Sequence, residues 1–365
     1  MKHPGNPKRI IFVLACVACL QPAQSFAVTA VIQQKEMVID SNWETKGRYA
    51  TEFLVETPQG AEDMKLYLDH LSAQPDKFRQ LVIRVRLPGK RQQDWNPANT
   101  GLPAGSTVHV DYSVSAMFPG FEGLFADYFS IDQLRPVKQA SYRVRFPGKM
   151  RFQYRIKQGE KQFELQQEAD HFQWSASRVR HLDLMITTAC SWEEIKDRYQ
   201  LLYSKQYGKG LAPGDMPFRL SALGPCPSDQ KIAAVMAFLK DDLAYRAHLL
   251  PEHALMPDGP PTVMKRGWGD CKDMNMLGVA LLSGMGMDAF VLLTGTPRHS
   301  RWANQLPDPF IFTHALIGVY KNGTPHYYDY QAPGAEAPIE RRITLKIDPK
   351  SRPMMNTPVA NERHP

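Results

Sequence analysis

Cys271, His314 and Asp329 are the residues of this 365-residue chain whose types and order could perform covalent chemistry. A thiolate is a nucleophile, an imidazole takes and returns the proton, and a carboxylate orients the ring and stabilises its charged form. The order is Cys, then His 43 residues later, then Asp after 15 more. If the three meet, Cys271 attacks an acyl carbon, and backbone N–H groups at Cys271 face the developing oxyanion. Trp268, Asp270 and Asp273 flank the thiol and could serve substrate or oxyanion. Each also has a plainer role: Trp268 as packing beside glycines, Asp270 as a helix cap, and Asp273 with Lys272 as packing or substrate positioning.

These side chains need elements to hold them. Arg266-Gly267-Trp268-Gly269-Asp270-Cys271-Lys272-Asp273 opens a helix predicted from Cys271 to about Ser283, with Met274, Leu277 and Leu281 apolar and Gly284 as its stop. Cys271 then lies in the first turn, where unpaired N–H groups and the helix dipole favour thiolate over thiol. Strands are predicted over 289–293, 311–320 and 326–330, with His314 on the second and Asp329 on the third. Antiparallel pairing of the last two would set His314 and Asp329 side by side, facing the helix start. His326 alternates off the face of Asp329 and is expected to be exposed or packed.

Residues 28–188 alternate with a period of two. Leu81 to Leu87, Val108 to Val114, Tyr142 to Phe146 and Phe152 to Ile156 are separated by turn signals such as Pro88-Gly89 and Pro147-Gly148. This predicts an antiparallel β-sandwich or barrel-like domain, with Arg84, Arg86, Arg143 and Arg145 on solvent faces and no His, Cys and carboxylate set at metal spacing. A capping box at Ser191 and Glu194 then starts a helix closed by Gly208, within a helical linker over 189–227. A further helix from Ser228 carries Ile232, Val235, Met236, Leu239 and Leu243 and opens a catalytic domain over 228–340. A loop rich in Pro and His occupies 248–266, and 341–365 reads as a frayed tail.

Gly269-Asp270-Cys271-Lys272-Asp273, Gly284-Met285-Gly286-Met287-Asp288-Ala289, Phe312-Thr313-His314-Ala315 and Tyr327-Tyr328-Asp329 together resemble the transglutaminase-like superfamily, over residues 228 to about 335. The half before it resembles the domain of unknown function that often precedes such cores in secreted bacterial proteins, most clearly at Pro103 to Tyr112, Arg135-Pro136-Val137 and Ser191-Trp192. The resemblance implies an α+β chain whose β-sandwich is followed by a papain-like core with Cys271, His314 and Asp329 as triad. It implies a peptidase, transamidase or deamidase. Better-known transglutaminases add an oxyanion side chain upstream; here Trp268 is the nearby indole, and no Gln lies between Gln230 and Cys271.

Composition bounds the rest. With 43% hydrophobic and 22% charged residues the chain is neither disordered nor fibrous. Its net charge of +7 includes Lys2, Lys8 and Arg9, and the remainder is too mild for a nucleic-acid partner. Those three open a leader with the apolar run Ile10 to Leu20 and Ser25-Phe26-Ala27, predicting a signal peptide over 1–27, cleavage after Ala27, and a periplasmic or secreted protein. Val13-Leu14-Ala15-Cys16 offers the alternative of a lipoprotein. No later stretch is apolar for long enough to span a bilayer.

Cys16 and Cys19 leave with that leader, and Cys190 and Cys226 could form a disulfide, with Cys271 as the free thiol. His248, Glu252 and His253 lack the spacing of a zinc site, no calcium loop is present, and no cofactor or metal is expected. A protein or peptide substrate, attacked through an acyl-enzyme, is the expected partner. The rivals are a non-catalytic binding protein that keeps the fold and an amidase of cell-wall peptide.

Overall fold

The computed structural model describes residues 28–350 except 75–77, 97–100, 159–162, 213, 248–254, 296–305, 333–335 and 340–341. The leader, Cys16, Cys19, His248, Glu252 and His253 therefore lie outside the described residues. Along the chain, two compact units meet between Cys190 and Ser191.

The first unit contains β1 (Val28–Ile39), β2 (Thr45–Val55), α1 (Pro58–Ser72), β3 (Arg79–Arg86), β4 (Gln92–Asp94), β5 (Thr107–Ala116), β6 (Ala126–Arg145), β7 (Gln153–Gln158), β8 (Glu164–Gln167) and β9 (His171–Thr187). In β5, Val108, Val110, Tyr112, Val114 and Ala116 are buried and the residues between them are half-exposed, so one face meets the core. The Thr57 side chain accepts from the Gly60 N–H and Pro58 fits the first turn of α1, which buries Met64, Leu68 and Leu71.

The strand order is β4-β3-β5-β2-β1-β6-β9-β7, with β8 also on β9; β1 and β6 run parallel and the other neighbours antiparallel. The nine strands thus form one hydrogen-bonded sheet that contains a parallel pair, where only antiparallel neighbours were expected. The reason lies in β6 and β9, 20 and 17 residues long, which pair along most of their length across an irregularity between Asp132 and Val137. That length lets β7 and β8 both attach to β9. Lys35 and Tyr142 are partners in the parallel register; Lys35 Nζ lies 2.5 Å from Asp127 Oδ1, and the Tyr142 hydroxyl donates to Asp127 Oδ2 at 2.7 Å. A slipped register would strand these buried charges.

The second unit contains α2 (Trp192–Tyr207), α3 (Phe218–Ser221), α4 (Ser228–Asp241), β10 (Ala244–Tyr245), α5 (Pro260–Arg266), β11 (Trp268–Gly269), α6 (Cys271–Gly284), β12 (Ala289–Thr294), β13 (His314–Lys321), β14 (Thr324–Tyr328) and β15 (Thr344–Ile347). The order β14-β13-β12-β15 makes a fully antiparallel sheet, and β10 pairs with β11. Helix α6 buries Met274, Met276, Leu277, Val279, Leu281 and Leu282, the pattern of a helix enclosed on most sides. It lies so close to β13 that a Cβ on Gly278 would come 2.3 Å from Ile317 Cδ1.

Three boundaries differ from the sequence expectation. Thr344–Ile347, expected in a frayed tail, is instead an edge strand on β12, with Leu345 and Ile347 turned inward. Helix α2, expected in a linker, packs into the second unit through Trp192 and Tyr199 against Phe312, and the Tyr199 hydroxyl donates to the Pro309 carbonyl at 2.7 Å. Part of the expected 248–266 loop is α5. In each case a few apolar residues find their face only in the folded unit. Among the described residues no helix is long and apolar enough to cross a membrane.

Candidate active site

The run Arg266 to Asp273 folds as it does because two glycines permit it. Gly267 ends α5 at a φ of 73°, where a side chain would be strained, and a Cβ on Gly269 would come 2.6 Å from the Asp273 Cβ. Asp270 then caps α6, its Oδ1 accepting from the N–H groups of Lys272 at 2.8 Å and Asp273 at 3.2 Å. Asp273 Oδ2 accepts in return from the Asp270 N–H at 3.1 Å, completing a capping box. Cys271, half-buried, is the first residue of the helix.

Further groups tie this turn down. The Arg266 guanidinium forms ion pairs with Asp258 and Asp273, and its Nε donates to the Trp268 carbonyl at 2.7 Å. Asp273, 1% exposed, also accepts from the Asp258 N–H at 2.7 Å. Burial and the Asp270 carboxylate hold the Asp273 carboxyl above the usual range. The Trp268 ring lies beneath Arg266 at 4.1 Å and Arg246 at 5.5 Å, as a cation–π stack. Lys272 Nζ lies 2.5 Å from Asp270 Oδ2; burial opposes its charge, but Asp270 and Cys271 outweigh that and raise its pKa.

Across the sheet, β13 begins with His314, whose Nε2 is 3.0 Å from Asp329 Oδ2. Asp329 follows the end of β14 rather than lying on that strand, because the β13–β14 pairing stops at Ile317 and Tyr328. Its Oδ1 accepts from the Gln331 N–H at 3.0 Å, which fixes the carboxylate. Burial disfavours the charged His314 ring, but its hydrogen bonds with Asp329 and Cys271 and the charges of both raise its pKa to about 9. The structure thus brings Cys271, His314 and Asp329 together, with Asp270 and Asp273 in the turn that presents the thiol.

A folded-state value of about 9 against an ordinary 6.5 means that His314 binds its proton more tightly in the native protein. Its stabilising contribution is complete below pH 6.5 and is lost as pH rises through 9. The difference in unfolding free energy between wild type and His314→Gln should therefore narrow between pH 6.5 and 9 in denaturant titrations. A difference that stays constant over that range would contradict this.

Other sequence candidates fall elsewhere. Cys190 and Cys226 are not joined in a disulfide. His326 Nδ1 lies 2.6 Å from Glu336 Oε1, away from the triad's contacts. In the first unit the turn before β9 gathers Glu168, Asp170 and His171, with ligand atoms within 4.8 Å of one another, which sequence spacing did not single out. Sequence reasoning also passed over Arg266 as an ion-pair partner and Asn275 altogether. The signal for Asn275 was a lone amide in the apolar run Met274 to Leu282.

Comparison with known proteins places the first unit in part. Residues 98–181 match the family described as DUF3857, a domain of unknown function with a solved structure. No curated protein sequence matches the chain. Among solved structures, a "putative protease" from Parabacteroides distasonis aligns over 84% of this chain and 68% of its own, with 12% identity and a TM-score of 0.60, a likeness of fold. A "putative cysteine protease" from Cytophaga hutchinsonii aligns over 61% of this chain and 75% of its own at 13% identity, with a TM-score of 0.25.

Proposed function

We propose that this chain is a transglutaminase-like cysteine enzyme that acts on amide bonds of protein or peptide substrates, exported by its 1–27 leader and carrying a papain-like core behind a β-rich domain. One observation carries the reading: a single imidazole, His314, is hydrogen-bonded to Asp329 and lies within the electrostatic reach of Cys271, a cysteine at a helix N-terminus, so that both raise its pKa. The fold likeness to a protein described as a protease is in keeping with it.

In this reading the Cys271 sulfur attacks the amide carbonyl carbon as thiolate, while His314 holds the proton. Asp270 occupies the N–H groups of Lys272 and Asp273, whereas the Cys271 N–H has no hydrogen-bond partner among the described residues and is left to face the oxyanion. Collapse of the tetrahedral intermediate breaks the C–N bond, and His314 protonates the departing amine. Water, or an acceptor amine, then attacks the thioester, gives its proton to His314 and releases the thiolate, which restores the starting pair. Hydrolysis is the default outcome because water is always present.

The test incubates wild type and Cys271→Ala with a denatured protein mixture and, separately, with purified peptidoglycan, reading new termini, amides and released amines by mass spectrometry. Wild type should convert one of them, and the variant should be slower by about a thousandfold or more. Conversion of peptidoglycan alone would make cell-wall peptide the substrate. No conversion of either by wild type, or an equal rate in the variant, would overturn the enzymatic reading.

A further inference from the structure

Asn275 lies on α6 one turn beyond Cys271 and is fully buried. Its Nδ2 donates to the Cys271 carbonyl at 2.5 Å and to the Ala315 carbonyl at 2.9 Å. One side-chain amide therefore bridges the residue that bears the thiol and the residue next to the histidine, 40 positions away on β13. Few other polar side chains could do this from an α6 position: two N–H donors on one nitrogen are needed, on a stem short enough to stay between helix and strand.

The other half of the amide argues against a role in stability alone. Asn275 Oδ1 is buried and has no hydrogen-bond partner among the described residues. An unsatisfied buried acceptor is a cost, and a leucine, with the same branching and the same number of side-chain heavy atoms, would occupy the site without it. Gly278, one turn further along α6, shows how tightly helix and strand are already packed without a polar link. The amide is placed where helix and strand carry the two reacting side chains.

We propose that Asn275 is a positioning residue that fixes the Cys271 turn of α6 against the His314 end of β13 and so sets the Cys–His contact. The inference rests on the reading of Cys271 and His314 as a working pair. Asn275 touches no reacting atom; it acts through the backbone of Cys271 and Ala315. Displacement of a reacting group by about 1 Å costs up to about a hundredfold in rate.

The experiment measures iodoacetamide alkylation of Cys271 at pH 6, by mass spectrometry, in wild type, His314→Ala, Asn275→Leu and Ile317→Val, with thermal unfolding of each. Wild type should react faster than His314→Ala, and equal rates would defeat the Cys–His reading itself. Given that difference, Asn275→Leu should fall about tenfold toward the His314→Ala rate while its Tm is unchanged or higher. Ile317→Val, on the same helix–strand seam, should lower Tm and keep the wild-type rate. A wild-type rate in Asn275→Leu would overturn the proposal and leave the pair intact. Should Asn275→Leu not fold, NMR of the wild type decides: the Asn275 side-chain NH2 resonances should follow the His314 titration between pH 7 and 10, and resonances flat over that range would overturn it.

Discussion

Asp329→Asn is expected to lower kcat by about 10³- to 10⁴-fold on the amide substrate of the proposed reaction, with KM little changed. The carboxylate Oδ2 lies 3.0 Å from His314 Nε2, and Oδ1 is held by the Gln331 N–H. Asparagine keeps that shape, but its NH2 in place of one oxygen favours the wrong imidazole tautomer and removes the charge that supports the imidazolium. The raised pKa of His314 depends in part on Asp329, so the variant ring should also lose its proton at lower pH than in wild type, as read by NMR. A loss below about tenfold, or an unmoved His314 titration, would mean that another carboxylate orients the ring.

Asp273→Ala should cost about 3 kcal/mol of folding stability or more, measured by denaturant unfolding at pH 7. The residue is 1% exposed and does three jobs: it pairs with Arg266, accepts from the Asp258 N–H, and accepts from the Asp270 N–H as one leg of the capping box. Alanine leaves two backbone donors, the buried Asp270 N–H and the half-buried Asp258 N–H, without their acceptor and gives Arg266 only Asp258 as counter-charge. Asp273→Asn, which keeps an acceptor but not the charge, should fall between alanine and wild type. A loss within about 0.5 kcal/mol, typical of an indifferent surface position, would show that Arg266 and Asp258 hold the turn by themselves.

Much of the candidate site was legible because its parts obey local rules. A cap, a nucleophile and an apolar period of three to four residues announce α6, and apolar strands announce β12 and β13. The reach of the site was less legible. Arg266 reads as one basic residue among 44 lysines and arginines until folding places it between Asp258 and Asp273. Asn275 is a polar exception in an apolar helix until β13 supplies the Ala315 carbonyl as its second acceptor.

The same division holds for the fold. Alternation of side chains marked β3, β5, β7 and the end of β6, since each strand's face is set by residues two positions apart, whereas helix α1 (Pro58–Ser72) falls inside the region read as alternating strands. Whether strands such as β1 and β6 pair in parallel, or β6, β7 and β8 all attach to a long β9, depends on partners more than a hundred residues distant in some cases. Thr344–Ile347 is too short and too polar to declare itself and becomes a strand because β12 offers an open edge with apolar cover for Leu345 and Ile347.

The sequence by itself determined α6 and the cap that presents Cys271, because a cap and an apolar period are written in residues within one or two turns of one another, and it set the types and order of Cys271, His314 and Asp329. Only the tertiary structure decided that His314 reaches both Asp329 and Cys271, that Asp273 is held by Arg266, and that Asn275 ties helix to strand. Those contacts join residues on separate elements, and their strength comes from burial, which removes the competing water only once the whole unit has closed around them.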